Sequence, residues 1–153
     1  MVDRFERFSL AIYELSRYWH KIAADEMEKY GLKGPYAVYF TTLYRSPEGI
    51  TAARLSEVSG RDKADVSRAI AAMEKQGLVT KEGTQYRALL KLSPAGMQAA
   101  RQINERARVA VELGGQGLTP STREIFYNAM EQIVANLQTI SEKGLPASGK
   151  AQK

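Results

Sequence analysis

The sequence contains no cysteine, and this absence excludes several kinds of function at once. Disulfides, thiolate metal sites, cysteine nucleophiles and cysteine redox sensors all require a thiol. His20 is the only histidine, so a zinc site built on several histidines is excluded as well. The sequence also lacks a Gly-rich phosphate-binding loop of either common spacing. We therefore expect no cofactor, no metal and no catalytic residues.

Long hydrophobic runs are missing too. No stretch approaches the roughly 18 apolar residues that a membrane span requires. The first 19 residues are charged throughout and lack the apolar core of a signal peptide. Because the lack of cysteine is compatible with the cytosol, we expect a cytoplasmic protein without a membrane partner.

The charge of the chain is unbalanced toward basic residues. Its 153 residues include 22 Lys and Arg against 17 Asp and Glu, a net charge of +5, and 44% of them are hydrophobic. This length and composition predict one domain, residues 1–153, with enough apolar residues for a hydrophobic core. The basic surplus favours a polyanionic partner, first nucleic acid and second an anionic membrane surface. Charge alone does not distinguish a protein with such a partner from a basic protein that has no polyanionic partner.

Both ends of the chain carry helical apolar stripes. The N-terminal stripe predicts a long helix that ends near Gly31, and it fits either a core or a seam against a second subunit. Near the C-terminus, one helix is expected from Ser93 to about Leu113 and another from Thr119 onward. The stripe residues are Phe5, Phe8, Ile12, Leu15, Trp19 and Ile22 at one end and Ile125, Phe126, Met130, Ile133, Leu137 and Ile140 at the other.

The middle of the chain reads as three short helices followed by a hairpin. Pro35 suits the start of one helix, Thr51 caps the next and Asp62 caps the third, which Gly77 ends. Residues 78–81 and 87–92 are predicted as two strands joined by a turn at 82–85. Two short helices with a tight turn, then a hairpin, make a winged helix-turn-helix, whose second helix lies in the DNA major groove. The fold class is thus mainly α with a small β-hairpin wing, flanked by N- and C-terminal helices.

The front of the capped helix is the candidate DNA-binding surface. Small side chains there allow a close approach to bases, and basic side chains supply hydrogen-bond donors to bases and phosphates. From residue 61 to residue 91 there are seven basic and four acidic residues. The candidate DNA-binding residues are Thr51, Arg61, Lys63, Ala64, Ser67, Arg68, Lys75, Gln85, Tyr86 and Arg87.

The stretch "ITAARLSEVSGRDKADVSRAIAAMEKQGLVTKEGTQYRALLKLSPAG", residues 50–96, resembles the MarR family of transcriptional regulators (multiple antibiotic resistance regulator type). Its diagnostic part is "DVSRAIAAMEKQGLV", followed by a wing and "LSPAG". By this resemblance, Ser67 and Arg68 match the Ser/Thr-Arg pair of the reading helix, and Arg87 matches a basic residue of the wing. The wing text "EGTQYR" is shorter than the family's Asp-x-Arg-Asp run and has no aspartate, so Gln85 or Tyr86 is expected to contact the DNA backbone instead.

The resemblance also implies how the chain is organised. It implies a winged helix-turn-helix lobe at 33–92 and helical dimerisation regions at 1–32 and 93–143. The tail at 144–153 is polar, small and basic, and this composition predicts disorder. A homodimer with two-fold symmetry would bind double-stranded DNA at a palindromic operator, most commonly as a repressor. The reading helices of such a dimer lie about one DNA turn, roughly 34 Å, apart.

A small-molecule effector site is a further hypothesis, because many members of the family release DNA on binding a small aromatic or anionic compound. Hydroxyls and an imidazole on an aromatic wall would suit a phenol or a carboxylate. The candidate effector-binding residues are Ser9, Tyr13, Ser16, His20, Tyr36, Tyr39 and Phe40. Aromatic residues at helical spacing are also what an ordinary core contains, so both interpretations stay open.

Two other functional classes compete with a DNA-binding regulator. One is a winged-helix protein-interaction module that has lost DNA binding, and the basic residues at the front of the reading helix argue against it. The other is an enzyme, which the absence of a catalytic set argues against.

Overall fold

The computed structural model describes residues 3–84 and 87–147. This part of the chain is mainly helical, with one two-stranded antiparallel sheet, so the predicted fold class is confirmed. None of the helices described here is long and apolar enough to cross a membrane. The elements are α1 (Arg4–Glu28), a 3-10 turn (Gly34–Tyr36), α2 (Ala37–Tyr44), α3 (Ala52–Ser59), α4 (Lys63–Lys75), β1 (Val79–Glu82), β2 (Leu89–Leu92), α5 (Pro94–Gly114) and α6 (Pro120–Lys143).

The helix starts follow the caps that the sequence predicts. The Thr51 hydroxyl accepts a hydrogen bond from the Arg54 N–H, and the Asp62 carboxylate accepts one from the Asp65 N–H at 2.7 Å. Gly60 adopts a left-handed backbone, φ 65°, which lets the chain turn from α3 into α4 within a few residues. The helix-turn-helix therefore forms where local signals place it.

One hydrophobic core joins the end of α1, α2, α3, α4, the hairpin and the first half of α5. Helix α4 contributes the predicted residues Val66, Ile70 and Met73, together with Ala69. Because only this side of α4 packs, its opposite side lies in solvent. The largest fully buried side chains of the core are Tyr39, Phe40, Met27, Leu43, Leu55, Met73, Leu90 and Val66.

The hairpin differs from its prediction at its boundaries. Strand β1 extends to Glu82, and β2 begins at Leu89 rather than at residue 87. The pairing register runs from Val79 opposite Leu92 to Glu82 opposite Leu89. The backbone of Ile50 also pairs with Leu90 through hydrogen bonds of 3.1 and 2.8 Å. Since an isolated hairpin is marginal in water, this third pairing ties the wing to the chain that leads into α3.

The start of α5 is joined to the end of α4. The Ser93 hydroxyl donates to the Gly77 carbonyl at 2.6 Å and accepts from the Gly96 N–H at 3.0 Å. A Cβ added to Gly96 would lie 1.9 Å from the Leu78 carbonyl oxygen. Only glycine permits this close approach between α5 and the first residues of the wing.

The chain divides into two compact units, residues 1–109 and 110–153. In the first unit, α1 leaves its apolar stripe exposed, from Phe5 at 71% to Ile22 at 42%, and buries only Met27. In the second unit, α6 buries none of its residues. Neither stripe is therefore buried by the residues of its own unit.

The close approach at Gly96 predicts a large effect of adding a single methyl group. We expect Gly96→Ala to destabilise the protein by about 3 kcal/mol, because the new Cβ must displace the Leu78 backbone. Urea unfolding followed by circular dichroism measures the change. Gly114→Ala is the matched control, since a Cβ at Gly114 meets nothing within 4 Å. Equal stability of the two variants would contradict the packing described here.

Candidate nucleic-acid interface

The candidate reading surface is the solvent side of α4 and the turn before it. Arg61, Lys63, Ala64, Ser67 and Arg68 are all exposed, and Lys75 is exposed at the far end of the helix. The helix thus presents small and basic side chains together on the side that does not pack. The predicted residues of α4 therefore share one exposed side, and contact with DNA at this side stays a prediction.

The acidic residues near this surface are used in local interactions. Asp62 caps α4, Glu74 pairs with Lys81 at 3.0 Å, and Glu82 pairs with Lys91 at 3.0 Å. Within the part of the chain that the structure describes, the remaining basic candidates of α4 and the wing form no close salt bridge. These are Arg61, Lys63, Lys75 and Arg87. The basic surplus is therefore concentrated at the front and far ends of α4 and on the wing.

Two other predicted contact regions have different surroundings. Thr51 is half-buried, and its hydroxyl oxygen already accepts the capping hydrogen bond of α3. On the wing, Arg87 is exposed and its N–H donates to the Thr84 carbonyl at 3.2 Å. Gln85 and Tyr86 lie outside the described residues.

Sequence reasoning missed one polar contact beneath the reading surface. The Tyr39 hydroxyl donates a 2.6 Å hydrogen bond to Oδ2 of Asp65, in the first turn of α4. Burial raises the pKa of Tyr39 well above its usual value, and the hydrogen bond to the Asp65 carboxylate raises it further. The tyrosine therefore remains a proton donor across the physiological pH range. The sequence spacing of Tyr36, Tyr39 and Phe40 indicated only an aromatic helix face.

A cavity of about 290 Å³ lies among α1, α2 and α5. Most of its wall is apolar, which suits a small aromatic molecule better than a strongly hydrated one. Its polar contributors are Glu26, Thr41 and Asn104. The rest of the wall is made by Trp19, Ile22, Ala23, Met27, Ala37, Val38, Ile103 and Ala107.

Glu26 is the charged residue on the wall of this cavity. Its carboxylate lies 2.6 Å from the Lys29 Nζ and 3.2 Å from the Arg106 Nε. The hydrogen bond from Lys29 is the main cause that holds the pKa of Glu26 below its usual value, and Arg106 lowers it further. Glu26 is therefore ionised at neutral pH.

The structure does not bring the predicted effector residues together. Tyr36, Tyr39 and Phe40 are core residues, with exposed fractions of 6%, 0% and 0%. Ser9, Tyr13, Ser16 and His20 lie on the exposed side of α1, where the Ser16 hydroxyl and the His20 Nδ1 are 3.2 Å apart. None of the seven lines the cavity. Helical spacing could not distinguish a pocket wall from a core.

No group of three or more potential metal ligands occurs within residues 3–84 and 87–147.

Comparisons with known proteins agree with this geometry. Residues 30–88 match the model of the MarR family. No curated protein shows significant similarity to the chain. A MarR transcriptional regulator from Methanosarcina mazei Go1 has a TM-score of 0.79 at 24% identity, covering 90% of this chain and 93% of that chain.

Two further solved structures show the same fold. A MarR family transcriptional regulator from Silicibacter pomeroyi has a TM-score of 0.72 at 20% identity, covering 88% of this chain and 92% of that one. A putative MarR family transcriptional regulator from Listeria monocytogenes, complexed with 26mer DNA, has a TM-score of 0.73 at 21% identity. That comparison covers 97% of this chain and 100% of the other.

The helix-turn-helix, the hairpin and the solved structures of the same fold define a winged-helix fold. The family match covers most of the lobe, and the fold match extends over nearly the whole chain. The chain is therefore similar to MarR family regulators, in sequence over residues 30–88 and in fold over most of its length.

Proposed function

We propose that the protein is a sequence-specific DNA-binding regulator, most simply a repressor, whose α4 docks in the major groove of a duplex. The observation that carries the proposal is the exposed front of α4, where Lys63, Ser67 and Arg68 lie in solvent. Of the acidic neighbours, Asp62 caps the helix, and Asp65 accepts the Tyr39 hydrogen bond with its other oxygen 3.7 Å from Arg68. The Listeria monocytogenes regulator of the same fold was crystallised with 26mer DNA. Because the partner is the duplex, the proposed site of action is the cytoplasm.

Within this proposal, Arg68 and Lys63 have different tasks. Arg68 lies one turn into α4, where an arginine can form two hydrogen bonds with a guanine edge. Lys63 is the first residue of the helix, where the backbone of a duplex passes and an ammonium group meets phosphate. Arg68 would thus contribute to sequence discrimination, and Lys63 would contribute mainly to affinity.

We further propose that the protein acts as a homodimer. The apolar side chains of α6 are between 36% and 66% exposed, from Ile140 to Ile125, and those of α1 are exposed to a similar degree. Large contiguous apolar surfaces on a soluble chain mark sites of association. Two copies related by a two-fold axis would present two reading helices to a palindromic operator. Residues 1–32 and 93–143 remain the proposed dimerisation regions.

The cavity supports a second proposal, that a small molecule regulates DNA binding. Its apolar wall fits the aromatic class of effector. The carboxylate of Glu26 on that wall already pairs with Lys29 and Arg106, so these two basic groups are not available to bind an anionic effector. We therefore propose a neutral aromatic effector that binds in this cavity and not at the predicted effector-binding residues.

Substitutions on α4 test the DNA-binding proposal. We expect Arg68→Ala to weaken binding to the operator by about 10- to 100-fold, because a bidentate base contact is lost. Lys63→Ala should weaken binding to all sequences alike and reduce the slope of log affinity against log salt by about one. Fluorescence anisotropy with duplexes from the region upstream of the protein's own gene measures both.

Lys21→Ala is the control for loss of one positive charge, since Lys21 lies on α1 and pairs with Asp25. A shallow salt dependence of wild-type binding would contradict the proposal. So would an Arg68→Ala variant that binds like the wild type.

The oligomeric state tests the second part of the proposal. Light scattering should give about twice the chain mass of 17.0 kDa. Ile133→Glu should shift the protein toward monomer and weaken operator binding, because a charge would be buried in the apolar seam of α6. Asn128→Glu adds the same charge away from that stripe and should leave the dimer intact. A wild-type monomer at micromolar concentration would be inconsistent with the proposed seam.

Indole and benzoate are suitable probes of the cavity, since one is neutral and the other is an anion of similar size. We expect indole to raise the melting temperature and to weaken operator binding, and benzoate to have a smaller effect on both. Ala107→Phe should abolish the response by filling the cavity, whereas Gln98→Phe on an exposed turn of α5 should keep it. A response that survives in Ala107→Phe would place the effector elsewhere.

A further inference from the structure

The hydrogen bond between Tyr39 and Asp65 joins the core directly to the reading helix. Tyr39 is fully buried in α2, and its hydroxyl lies 2.6 Å from Oδ2 of Asp65. A hydroxyl that donates to a carboxylate at this distance makes a charge-assisted bond, which is stronger than a bond between neutral groups. The contact spans 26 residues of sequence, so it fixes α4 against α2 rather than stabilising α4 alone.

Asp65 also contacts the reading surface. Its Oδ1 lies 3.7 Å from the Nη2 of Arg68, one turn further along α4. The side chain of Asp65 is 25% exposed, whereas that of Arg68 is 64% exposed. One carboxylate therefore links a buried tyrosine on its inner side to an exposed arginine on its outer side.

We propose that Tyr39 is a positioning residue for DNA recognition, which acts through Asp65 to set the orientation of the Arg68 guanidinium. This inference rests on the proposed DNA-binding function. With the Tyr39 hydroxyl in place, one carboxylate oxygen is tied inward and only the other faces Arg68. Without it, the carboxylate is free to turn outward and pair with Arg68 through both oxygens. That pairing would draw the guanidinium away from the base edge it is proposed to read.

The competing explanation is that the hydroxyl only stabilises the fold. A lost hydrogen bond would then lower the stability of the protein and leave the geometry of Arg68 unchanged. The two explanations differ in whether the effect of Tyr39 on operator affinity depends on Arg68. Double-mutant cycles measure this dependence directly.

The test compares Tyr39→Phe in the wild-type and Arg68→Ala backgrounds. We expect Tyr39→Phe to weaken operator binding about fivefold, the size of one lost hydrogen bond, and to have no further effect when Arg68 is absent. Binding to a scrambled duplex should change less than binding to the operator. Tyr36→Phe is the matched control, since it removes a hydroxyl from a neighbouring core tyrosine that makes no hydrogen bond to any residue in the described part of the chain.

A second variant guards against a general loss of structure. Asp65→Asn keeps the shape of the side chain and removes its charge, so Tyr39→Phe should have little further effect in that background. An equal loss of affinity in all three backgrounds, or none in the wild-type background, would overturn the positioning role. Failure of the wild-type protein to bind any operator would instead overturn the proposed function itself.

Discussion

Helix α4 is packed on one side only, and this constraint shapes the rest of the lobe. Val66, Ala69, Ile70 and Met73 bury one stripe of the helix in the core. The solvent side is therefore free to carry side chains chosen for another partner. A helix with a single packed stripe needs its orientation fixed by other contacts. Those contacts are the Asp62 cap at its start, the hydrogen bond from the Ser93 hydroxyl to the Gly77 carbonyl just after its end, and the hydrogen bond from Tyr39 to Asp65 in its first turn.

The distribution of charge follows from the same arrangement. The acidic residues of α4, its cap and the wing serve as a cap, as an acceptor for a buried tyrosine, or as partners of lysines on the wing. Among the described residues, Arg61 and Lys63 at the front of α4 remain without a close acidic partner, and Arg68 lies 3.7 Å from Asp65. A surface of this kind attracts a polyanion over distances of about a Debye length, roughly 8 Å at physiological salt. Composition set the size of the basic surplus, and the fold determined where it is exposed.

Much of the fold could be predicted from local patterns. Caps at Thr51 and Asp62, the glycine at residue 60 and the apolar spacing of α4 are each readable over a few residues. The start of β2 was misplaced by two residues, because strand ends depend on pairing with a distant segment. The pairing of Ile50 with the wing was missed for the same reason.

The candidate site was predicted unevenly. The exposure of the basic residues of α4 was predictable from the helical spacing of its apolar residues. These residues mark the buried side of the helix, so the basic residues lie on the opposite side, in solvent. The link from Tyr39 to Asp65 and the cavity wall were not predictable, because both depend on how separate helices pack. The same limit explains the effector residues: a helical aromatic spacing is identical for a core and for a pocket. Tyr39 and Phe40 belong to the core.

The central claim is that the surface from Lys63 to Arg68 contacts a duplex. Lysine acetylation followed by mass spectrometry, with and without operator DNA, tests this contact at one residue. If this surface meets the duplex, Lys63 is modified readily in the free protein and is strongly protected in the complex, while Lys21 on α1 is modified equally in both. Equal modification of Lys63 in a saturated complex would show that this surface is not where the protein meets DNA.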